Sequence, residues 1–423
     1  MDIPTAAVRA EGGTFAALRY PGFRLLWSGV LLTSAGTWLQ MVAQDFLVFR
    51  LTGRTLDIAT VAAVRAIPVI VLSPFAGRVV DRVNRRALLA LTQSLSALQG
   101  LAMGWLVWTG QMRVPHLIAF SFLHALVLVF DYPVRQALVP FVVPARDLRG
   151  AVALNHVAFG GAAVLGPAVV GIVAADGSGH HLARVFVLRS VTALILAAVA
   201  LMLPHGSARR AEGRNRPEPT QLCPAQLCPA VVRDLAVPLA LLLIVGFFLA
   251  PYQALLPAYS RTLASGGGRL LGQLHAWVGA GSVLGCLFCA WQAGTGRAAR
   301  VGESVCWIVF AGAAVAGLIC TRSVTVACLL LLCLGMALAA FQSLVQANLH
   351  ERVADELRGL VMALYGCAVI ALWPLGALPL TAGADRWGWR SALAVAVLIT
   401  LILTTAVTLP GRLRATVAAR KRQ

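Results

Sequence analysis

The sequence predicts an all-α integral membrane protein with twelve transmembrane helices. Apolar residues make up 59% of its 423 residues and charged residues only 12%, which is about half the charged share of an ordinary soluble domain. The apolar residues also occur in runs of about 20, the length that a helix needs to cross the hydrocarbon core of a bilayer. Together, the low charge and the length of the runs exclude a soluble globular protein.

Twelve such runs are separated by shorter polar segments, and each run predicts one transmembrane helix. In chain order they are Phe23–Phe49, Leu56–Ala76, Ala87–Trp108, His116–Leu138, Ala151–Ala174, Leu182–Leu203, Leu235–Ala258, Leu270–Ala293, Val301–Cys320, Val324–Gln346, Gly359–Gly383 and Trp389–Leu409. A long polar segment after the sixth run divides the chain. We expect an N-terminal six-helix half at residues 1–204, a cytoplasmic linker at residues 205–234, and a C-terminal six-helix half with a short cytoplasmic tail at residues 235–423.

The two halves share polar signatures between their fourth and fifth runs. Residues 147–150 have the sequence DLRG and residues 356–359 have the sequence ELRG. A Gln-Ala pair precedes each signature, at residues 136–137 and 346–347. A repeat in the same direction predicts two parallel six-helix units related by an axis along the membrane normal.

The formal net charge of +19 belongs to short loops and not to a soluble basic domain. We therefore expect no nucleic-acid partner. Most of the basic residues fall on the cytoplasmic side when both chain ends are placed in the cytoplasm, as the positive-inside rule requires. Arg189 is among the few that are counted on the outer side. The arginine distribution thus predicts a multi-pass protein with both termini in the cytoplasm.

The densest group of charges lies between the second and third runs. It follows the pattern G-x-x-x-D-R-x-x-R-R, with Gly77, Asp81, Arg82, Arg85 and Arg86 at the defined positions. Glycine lets two helix ends approach closely, and a carboxylate accepts hydrogen bonds from the N-terminus of a neighbouring helix. We expect a short basic turn here. The pattern resembles the loop between helices two and three of the major facilitator superfamily, whose fold has twelve transmembrane helices.

Two further segments extend the resemblance. Residues 130–140, with the sequence FDYPVRQALVP, are similar to a stretch in the branch that contains the enterobactin exporter and related transmembrane secretion effectors. In the fifth run, Gly166, Pro167 and Gly171 resemble the superfamily's antiporter motif. Two positions that usually hold glycine in that motif hold other residues in this sequence. We expect a monomer in the inner membrane of a bacterial cell, with no cofactor and no metal ion.

The resemblance also implies a gate of charged residues on the cytoplasmic side. Asp131 and Arg135 of the fourth helix, together with Arg358 at the start of the eleventh, would form a network with Asp81 and Arg85. Asp81 would cap the N-terminus of the eleventh helix. Such a network closes the inner side when it forms and opens that side when it breaks.

Three ionisable residues are candidates for proton coupling, because an unpaired charge inside a membrane helix costs about 3 kcal/mol or more. Asp45 and Arg65 lie on neighbouring antiparallel helices at similar depths. They form either a structural ion pair or a coupling site in which Asp45 is protonated when Arg65 moves away. His124 shares a helix face with Asp131 and Arg135. It either contacts substrate or relays protons, or it bonds to a backbone carbonyl as a core residue.

Aromatic and amide residues lie on helices that line the central cavity in the superfamily. They suggest a large amphipathic substrate that is held by stacking and neutral hydrogen bonds, although packing between helices explains each residue alone at least as well. They are Trp38, Gln40, Tyr252, Gln253, Gln342, Tyr365 and Trp373.

These features predict a transporter and not an enzyme. We expect proton-coupled export, by antiport and alternating access, of a small amphipathic organic molecule such as a siderophore, another secreted metabolite or a drug. An importer or a lysophospholipid flippase of the same fold is the alternative. A membrane enzyme finds no support, because the sequence shows no nucleophile motif, His/Asp cluster or phosphate loop, and a sensor would need a signalling domain. The expected partners are the small-molecule substrate, protons and the lipid bilayer.

Overall fold

The computed structural model describes residues 16–144, 147–173, 179–203, 229–263, 268–294, 301–352 and 355–420. These residues form helices and short connections, with no strand among them. In the first half the helices are α1 (Pro21–Thr52), α2 (Thr55–Arg82), α3 (Arg85–Trp108), α4 (Val114–Val142), α5 (Leu148–Val173) and α6 (Gly179–Met202). In the second half, α7 (residues 229–263) is followed by α8 (Gly268–Gly294), α9 (Val301–Cys320), α10 (Val324–Arg352), α11 (Asp355–Trp387) and α12 (Trp389–Arg420).

The helix α7 changes type along its length. It is α-helical over Pro229–Ile244, π-helical over Val245–Leu249, 3-10 helical over Ala250–Leu255 and α-helical again over Leu256–Leu263. A Cβ placed on Gly376 of α11 would lie 1.9 Å from the carbonyl oxygen of Phe247. The π segment therefore packs directly against the backbone of α11. Interruptions of this kind are frequent at functional sites.

The outer surface of the bundle is apolar, as a membrane protein requires. Large apolar side chains such as Leu98, Trp105 and Ile172 are among the most exposed. In the described part of the chain, ten helices are long and apolar enough to cross a membrane, and α5 contributes the shorter apolar stretch Ala158–Val173. A continuous apolar surface of this extent is stable in lipid and not in water. The predicted fold class is confirmed.

Each half packs mainly within itself, and two pairs of helices make most of the contact between the halves. In the first half α3 packs on α6, α1 on α5 and α2 on α4, whereas in the second half α10 packs on both α8 and α9. Between the halves, α5 packs on α8 and α2 packs on α11. Each helix of the first half has its counterpart six helices later in the chain, so α5 corresponds to α11 and α2 to α8. The contact of α5 with α8 is therefore equivalent to the contact of α11 with α2. The packing is therefore that of two parallel six-helix repeats.

Two differences between the observed and predicted helix boundaries change the interpretation of a predicted segment. The expected basic turn is largely helical, because α2 continues to Arg82 and α3 begins at Arg85. Asn84 allows this short connection by capping α3, since its Oδ1 accepts hydrogen bonds from the backbone nitrogens of Arg86 and Ala87 at 3.1 and 3.4 Å. In the second half, α7 begins at Pro229, inside the predicted linker. The rest of that linker lies outside the described residues, so the domain bounds stay predictions.

Candidate transport site and gates

A group of ionisable side chains lies inside the first half, on helices that the apolar pattern of the sequence buries in the bundle. Polar groups in such surroundings need partners, because their loss of contact with water is costly. The group consists of Asp45 on α1, Arg65 on α2, His124, Asp131 and Arg135 on α4, and Arg189 on α6.

Asp131 is the best-connected member of this group. The residue is only 3% exposed. One carboxylate oxygen accepts hydrogen bonds from Thr92 Oγ1 at 3.0 Å and from Gln93 Nε2 at 2.5 Å, both on α3. The other oxygen pairs with Arg135 Nη2 at 2.5 Å, one helical turn further along α4. Two of the predicted gate residues are thus joined to each other inside the first half.

Asp45 and Arg65 face each other more loosely. Asp45 is 4% exposed, and the opposite charges of the two residues attract each other. Neither a hydrogen bond nor an ion pair joins the two side chains. The adjacent Gln44 on α1, by contrast, donates a hydrogen bond from Nε2 to Ser121 Oγ of α4 at 2.5 Å. The structure therefore brings the predicted coupling pair together without a fixed salt bridge between them.

Arg189 is a member of this group that the analysis of the sequence missed. The outer-side position expected for it is wrong, because α6 begins at Gly179 and carries Arg189 well inside the helix, where it is only 1% exposed. Its Nε and Nη1 atoms have no hydrogen-bond acceptor among the described residues. Its Cδ lies beside α1, where a Cβ on Gly36 would be 3.0 Å away. Its place inside the apolar run Leu182–Leu203 was the signal that could have identified it.

His124 lies in the field of three arginines. Arg189, Arg65 and Arg135 all act on it electrostatically. Its Nδ1 atom has no hydrogen-bond partner in the described part of the chain. His275 of α8 differs, since its Nδ1 lies 3.1 Å from the carbonyl oxygen of Leu271. His275 is thus a core histidine satisfied by the backbone, whereas His124 is held among cations.

A carboxylate of the second half contacts the first half at the place where α1 ends and α2 begins. We call this end of the bundle the α1–α2 end. Asp385 Oδ1 accepts hydrogen bonds from the backbone nitrogen of Thr55 at 3.0 Å and from Thr55 Oγ1 at 2.7 Å. Its Oδ2 accepts from the backbone nitrogen of Leu56 at 3.0 Å. Asp385 belongs to the last turn of α11, so the carboxylate of one half caps the first turn of a helix in the other.

A second contact joins the halves at the same end. Arg261 of α7 lies over the ring of Phe49 of α1, with Cζ 4.1 Å from the ring centroid. Its Nη2 also lies 3.5 Å from the carbonyl oxygen of Phe49. The guanidinium therefore combines a cation–π contact with a weak hydrogen bond to the last turns of α1.

The helices α5 and α8 approach closely because small residues face each other. A Cβ on Gly272 would lie 2.4 Å from the backbone nitrogen of Gly171, and a Cβ on Gly279 would lie 2.3 Å from the carbonyl oxygen of Ala163. Only glycine permits this distance, as in other tightly packed membrane helices. The backbones of the two halves are in direct contact along this line.

The antiporter-type motif lies at this interface. The carbonyl oxygen of Pro167 would be 2.6 Å from a Cβ on Gly272, so Pro167 and Gly171 both face α8. Gly166 faces α1 instead, where its Cβ would lie 2.5 Å from the carbonyl oxygen of Ala35. The motif therefore packs α5 against one helix of each half.

The two predicted gate residues at the start of α3 make contacts within the first half. Arg86 donates from Nε to the carbonyl oxygen of Ala200 at 3.0 Å and from Nη2 to that of Leu201, so it satisfies the last carbonyls of α6. Arg85 lies with its Cζ 4.8 Å from the ring centroid of Phe141 on α4. Arg82 is exposed.

The remaining gate residues cannot be placed beyond their backbone. Gly77 and Asp81 belong to α2 and Arg358 belongs to α11, but their surroundings lie outside the described side chains. The contact of Asp81 with the start of α11 therefore stays a prediction.

The predicted cavity residues of the first half contact neighbouring helices. The ring of Trp38 is tilted against that of Phe159 on α5, with their centroids 6.0 Å apart. Gln40 is buried, and its Nε2 lies 3.6 Å from Met103 Sδ on α3. Both residues contribute to packing inside this half.

In the second half, the predicted cavity residues lie on α7, α10 and α11. The hydroxyl of Tyr365 donates to the carbonyl oxygen of Gln342 at 3.3 Å. Tyr252 is buried and Gln253 is half-buried in the 3-10 segment of α7. Trp373 Nε1 has no acceptor among the described residues. Within the same residues, no group of three or more His, Cys, Asp or Glu side chains is placed to hold a metal ion.

Known proteins resemble the chain at the level of both sequence and fold. Residues 12–422 match the family described as transmembrane secretion effector. The staphyloferrin A transporter of Staphylococcus aureus is 23% identical over 182 residues. That match spans 43% of this chain and 45% of the relative, which is less than half the length of each.

Solved structures of transporters share the fold. A bacterial homologue of the human lysosomal transporter Spinster, in an inward-facing and occupied conformation, has a TM-score of 0.71 at 14% identity over 92% of this chain and 96% of its own. The nucleoside transporter NupG gives 0.69 at 12% over 92% and 98%. The D-xylose-proton symporter gives 0.68 at 14% over 92% and 97%. Identities this low show the fold alone. The family match covers nearly the whole sequence, and the chain therefore belongs to the transmembrane secretion effector family of major facilitator transporters.

Proposed function

We propose that this transporter exports a small amphipathic organic molecule from a bacterial cytoplasm in exchange for protons, by alternating access. Membership of the family makes it a membrane transporter. Its direction, its coupling ion and its substrate belong to the proposal. The observation that carries the proposal is the hydrogen-bonded contact between Asp385 and the start of α2, which joins the two halves at one end of the bundle.

Alternating access needs contacts between the halves that form and break without disturbing either half. The Asp385 contact meets this requirement, since it consists of hydrogen bonds and a charge at a helix terminus and not of an apolar core. The two helix pairs that make most of the contact between the halves, α5 with α8 and α2 with α11, are equivalent under exchange of the halves. Rocking about such a symmetric interface opens one end as it closes the other. With both termini in the cytoplasm, the α1–α2 end faces outward.

Proton coupling is assigned to Asp45 and Arg65. A carboxylate that is buried, and that is attracted by an arginine without a direct bond to it, changes its affinity for a proton when that arginine moves. When Arg65 lies close, the ionised form of Asp45 is stabilised, and when Arg65 moves away, the protonated form is favoured. A rocking motion that changes this distance would therefore take up a proton on one side and release it on the other.

A siderophore or a chemically similar secreted metabolite is the proposed cargo. The support is the partial similarity to a staphyloferrin A transporter. An importer or a lysophospholipid flippase remains the alternative within this fold, and the same assay separates the three.

The test uses everted membrane vesicles that contain the full-length protein, with staphyloferrin A as the probe. An acidic interior should drive accumulation of the probe, and collapse of the pH gradient should release it. Accumulation in right-side-out vesicles only would establish import. Movement of fluorescent lysophospholipid without any movement of staphyloferrin A would establish flippase activity. Either result would overturn the proposed function.

A further inference from the structure

We propose that a basic site inside the first half binds an anionic group of the transported molecule, either a carboxylate or a phosphate. The site consists of Arg65, His124, Arg135 and Arg189. The inference rests on the proposed transport function. It adds that the substrate carries a negative charge and names the residues that bind that charge.

Three members of the basic site lie at the same depth. The helices α2, α4 and α6 alternate in direction with α1, α3 and α5, so all three begin at the α1–α2 end. Arg65, His124 and Arg189 each follow the first residue of their helix by the same number of positions. At a rise of about 1.5 Å per residue, each lies about 15 Å along its helix, halfway through a hydrocarbon core of about 30 Å. Transporters of this architecture bind their substrates at that depth.

The basic site carries more positive than negative charge. Asp131 is paired with Arg135 and also accepts hydrogen bonds from α3, and Asp45 attracts Arg65. Arg189 feels both Asp131 and Arg135 electrostatically, but no further described carboxylate acts on it. Without counting His124, three guanidinium groups therefore face two carboxylates, and one positive charge has no counter-charge within the described part of the chain.

The unused hydrogen-bonding atoms belong to the same side chains. Arg189 Nε and Nη1, Arg135 Nε and His124 Nδ1 are buried and have no partner among the described residues. A guanidinium in a membrane helix bundle is costly unless its charge and its donors are satisfied. Its planar fork matches the paired oxygens of a carboxylate or a phosphate. A bound anion would supply both the charge and the acceptors that the protein does not.

Arg189 is held in place by its surroundings. Its aliphatic stem lies against Gly36 of α1. The adjacent Thr33 donates a hydrogen bond from Oγ1 to the carbonyl oxygen of Thr192 at 2.9 Å, which ties α1 to the same turn of α6. A guanidinium that is fixed before binding loses little conformational freedom when an anion arrives. The basic site thus favours anionic cargo and disfavours a cationic drug.

The first experiment measures binding to full-length protein in nanodiscs of phosphatidylcholine. Citrate is compared with triethyl citrate, and lysophosphatidic acid with the monoacylglycerol of the same acyl chain. The anionic member of at least one pair should bind at least tenfold more tightly than its neutral partner. A response to citrate assigns the carboxylate of a metabolite, and a response to lysophosphatidic acid assigns the phosphate of a lipid. Equal binding within both pairs, or no binding in either, overturns the proposal.

Arg189→Gln should abolish this preference for the anion. Arg184→Gln is the matched control, since Arg184 lies on the same helix but is exposed, and it should leave the preference unchanged. A preference that survives in Arg189→Gln contradicts the basic site.

A second comparison does not depend on Arg189→Gln folding. His124→Glu places a carboxylate among the three arginines, whereas His124→Gln has the same shape without the charge. His124→Glu should have the higher thermal midpoint of the two and should no longer prefer anions. A lower midpoint for His124→Glu overturns the proposal. Because binding is measured without a proton gradient, an intact anion preference with no proton-driven transport would remove the proposed function and leave the basic site standing.

Discussion

The carboxylate of Asp385 in the second half lies 3.0 Å from the backbone nitrogen of Thr55 in the first half. Because the same carboxylate also accepts from Leu56, it satisfies two N–H groups that the start of α2 would otherwise leave without partners. This contact spans the interface between the halves. Under the proposed alternating-access mechanism, the strength of this contact contributes directly to the balance between the states in which the α1–α2 end is closed and open.

We expect Asp385→Asn to open the α1–α2 end. A carboxylate at a helix N-terminus contributes about 0.3–2 kcal/mol, so its loss should shift the population roughly twofold to thirtyfold. Spin labels at the exposed Leu51 and Arg386, in a cysteine-free background, should report a longer distance. Asp57→Asn is the control, because Asp57 also lies in the first turn of α2. An unchanged distance distribution in Asp385→Asn would mean that the contact does not hold this end closed.

Close packing of α5 and α8 should be needed for the same closed state. Gly272→Ala introduces a Cβ that would lie 2.4 Å from the backbone of Gly171, so the helices must separate. The label pair should again report a longer distance, and transport should fall. Gly302→Ala serves as the control, since a Cβ there meets nothing within 4 Å. If Gly272→Ala behaves like Gly302→Ala, the interface is more tolerant than its geometry indicates.

Asp45→Asn should separate coupling from transport. The amide cannot exchange a proton, so uphill accumulation of staphyloferrin A in everted vesicles should fall at least tenfold. Exchange of labelled for unlabelled substrate needs no net proton movement and should stay close to the parent rate. An equal loss of both activities would make Asp45 a structural partner of Arg65, and full uphill transport would remove it from the mechanism.

Arg86→Gln should destabilise the first half more than it alters the gate. Arg86 donates hydrogen bonds to the carbonyl oxygens of Ala200 and Leu201 at the end of α6, and each such hydrogen bond contributes about 0.5–1.5 kcal/mol of stability. The thermal midpoint of the purified protein should fall, whereas the label distances stay unchanged. A shift in the distances at an unchanged midpoint would support instead the gate role that the loop motif suggests.

The fold could be predicted from the sequence because it depends on the average hydrophobicity of long segments. The candidate site depends instead on contacts between individual pairs of side chains. Every transmembrane helix crosses the same lipid bilayer and therefore needs an apolar run of similar length, so the helices could be located from these runs alone. Asp131 and Arg135 could be paired because they are one turn apart on a single helix. Arg189 was misplaced because the charged side chains that act on it electrostatically, Asp131 and Arg135, lie on another helix. Asp385 was overlooked because Thr55 lies 330 positions away in the chain, and a single acid at a helix end carries no signal of what it caps.

The final prediction concerns Asp81 in the last turn of α2. The first turn of α2 meets the last turn of α11 at Asp385, and these two helices pack side by side, so they run antiparallel. At the opposite end of the bundle, the last turn of α2 therefore points toward the first turn of α11. If Asp81 caps α11 when that end closes, Asp81 and Asp385 stabilise opposite states of one equilibrium. Asp81→Asn should then shorten the distance between labels at Leu51 and Arg386, the reverse of Asp385→Asn.

The double variant should return toward the parent distribution, because the two losses act on opposite sides of the same balance. Arg78→Ala is the control, since Arg78 occupies an undefined position of the loop motif. Cysteines at Arg82 and Arg358 give an independent measurement, and their crosslinking should decrease in Asp81→Asn. A shift in the same direction as that of Asp385→Asn, or crosslinking equal to that of the parent, would show that Asp81 does not close the opposite end.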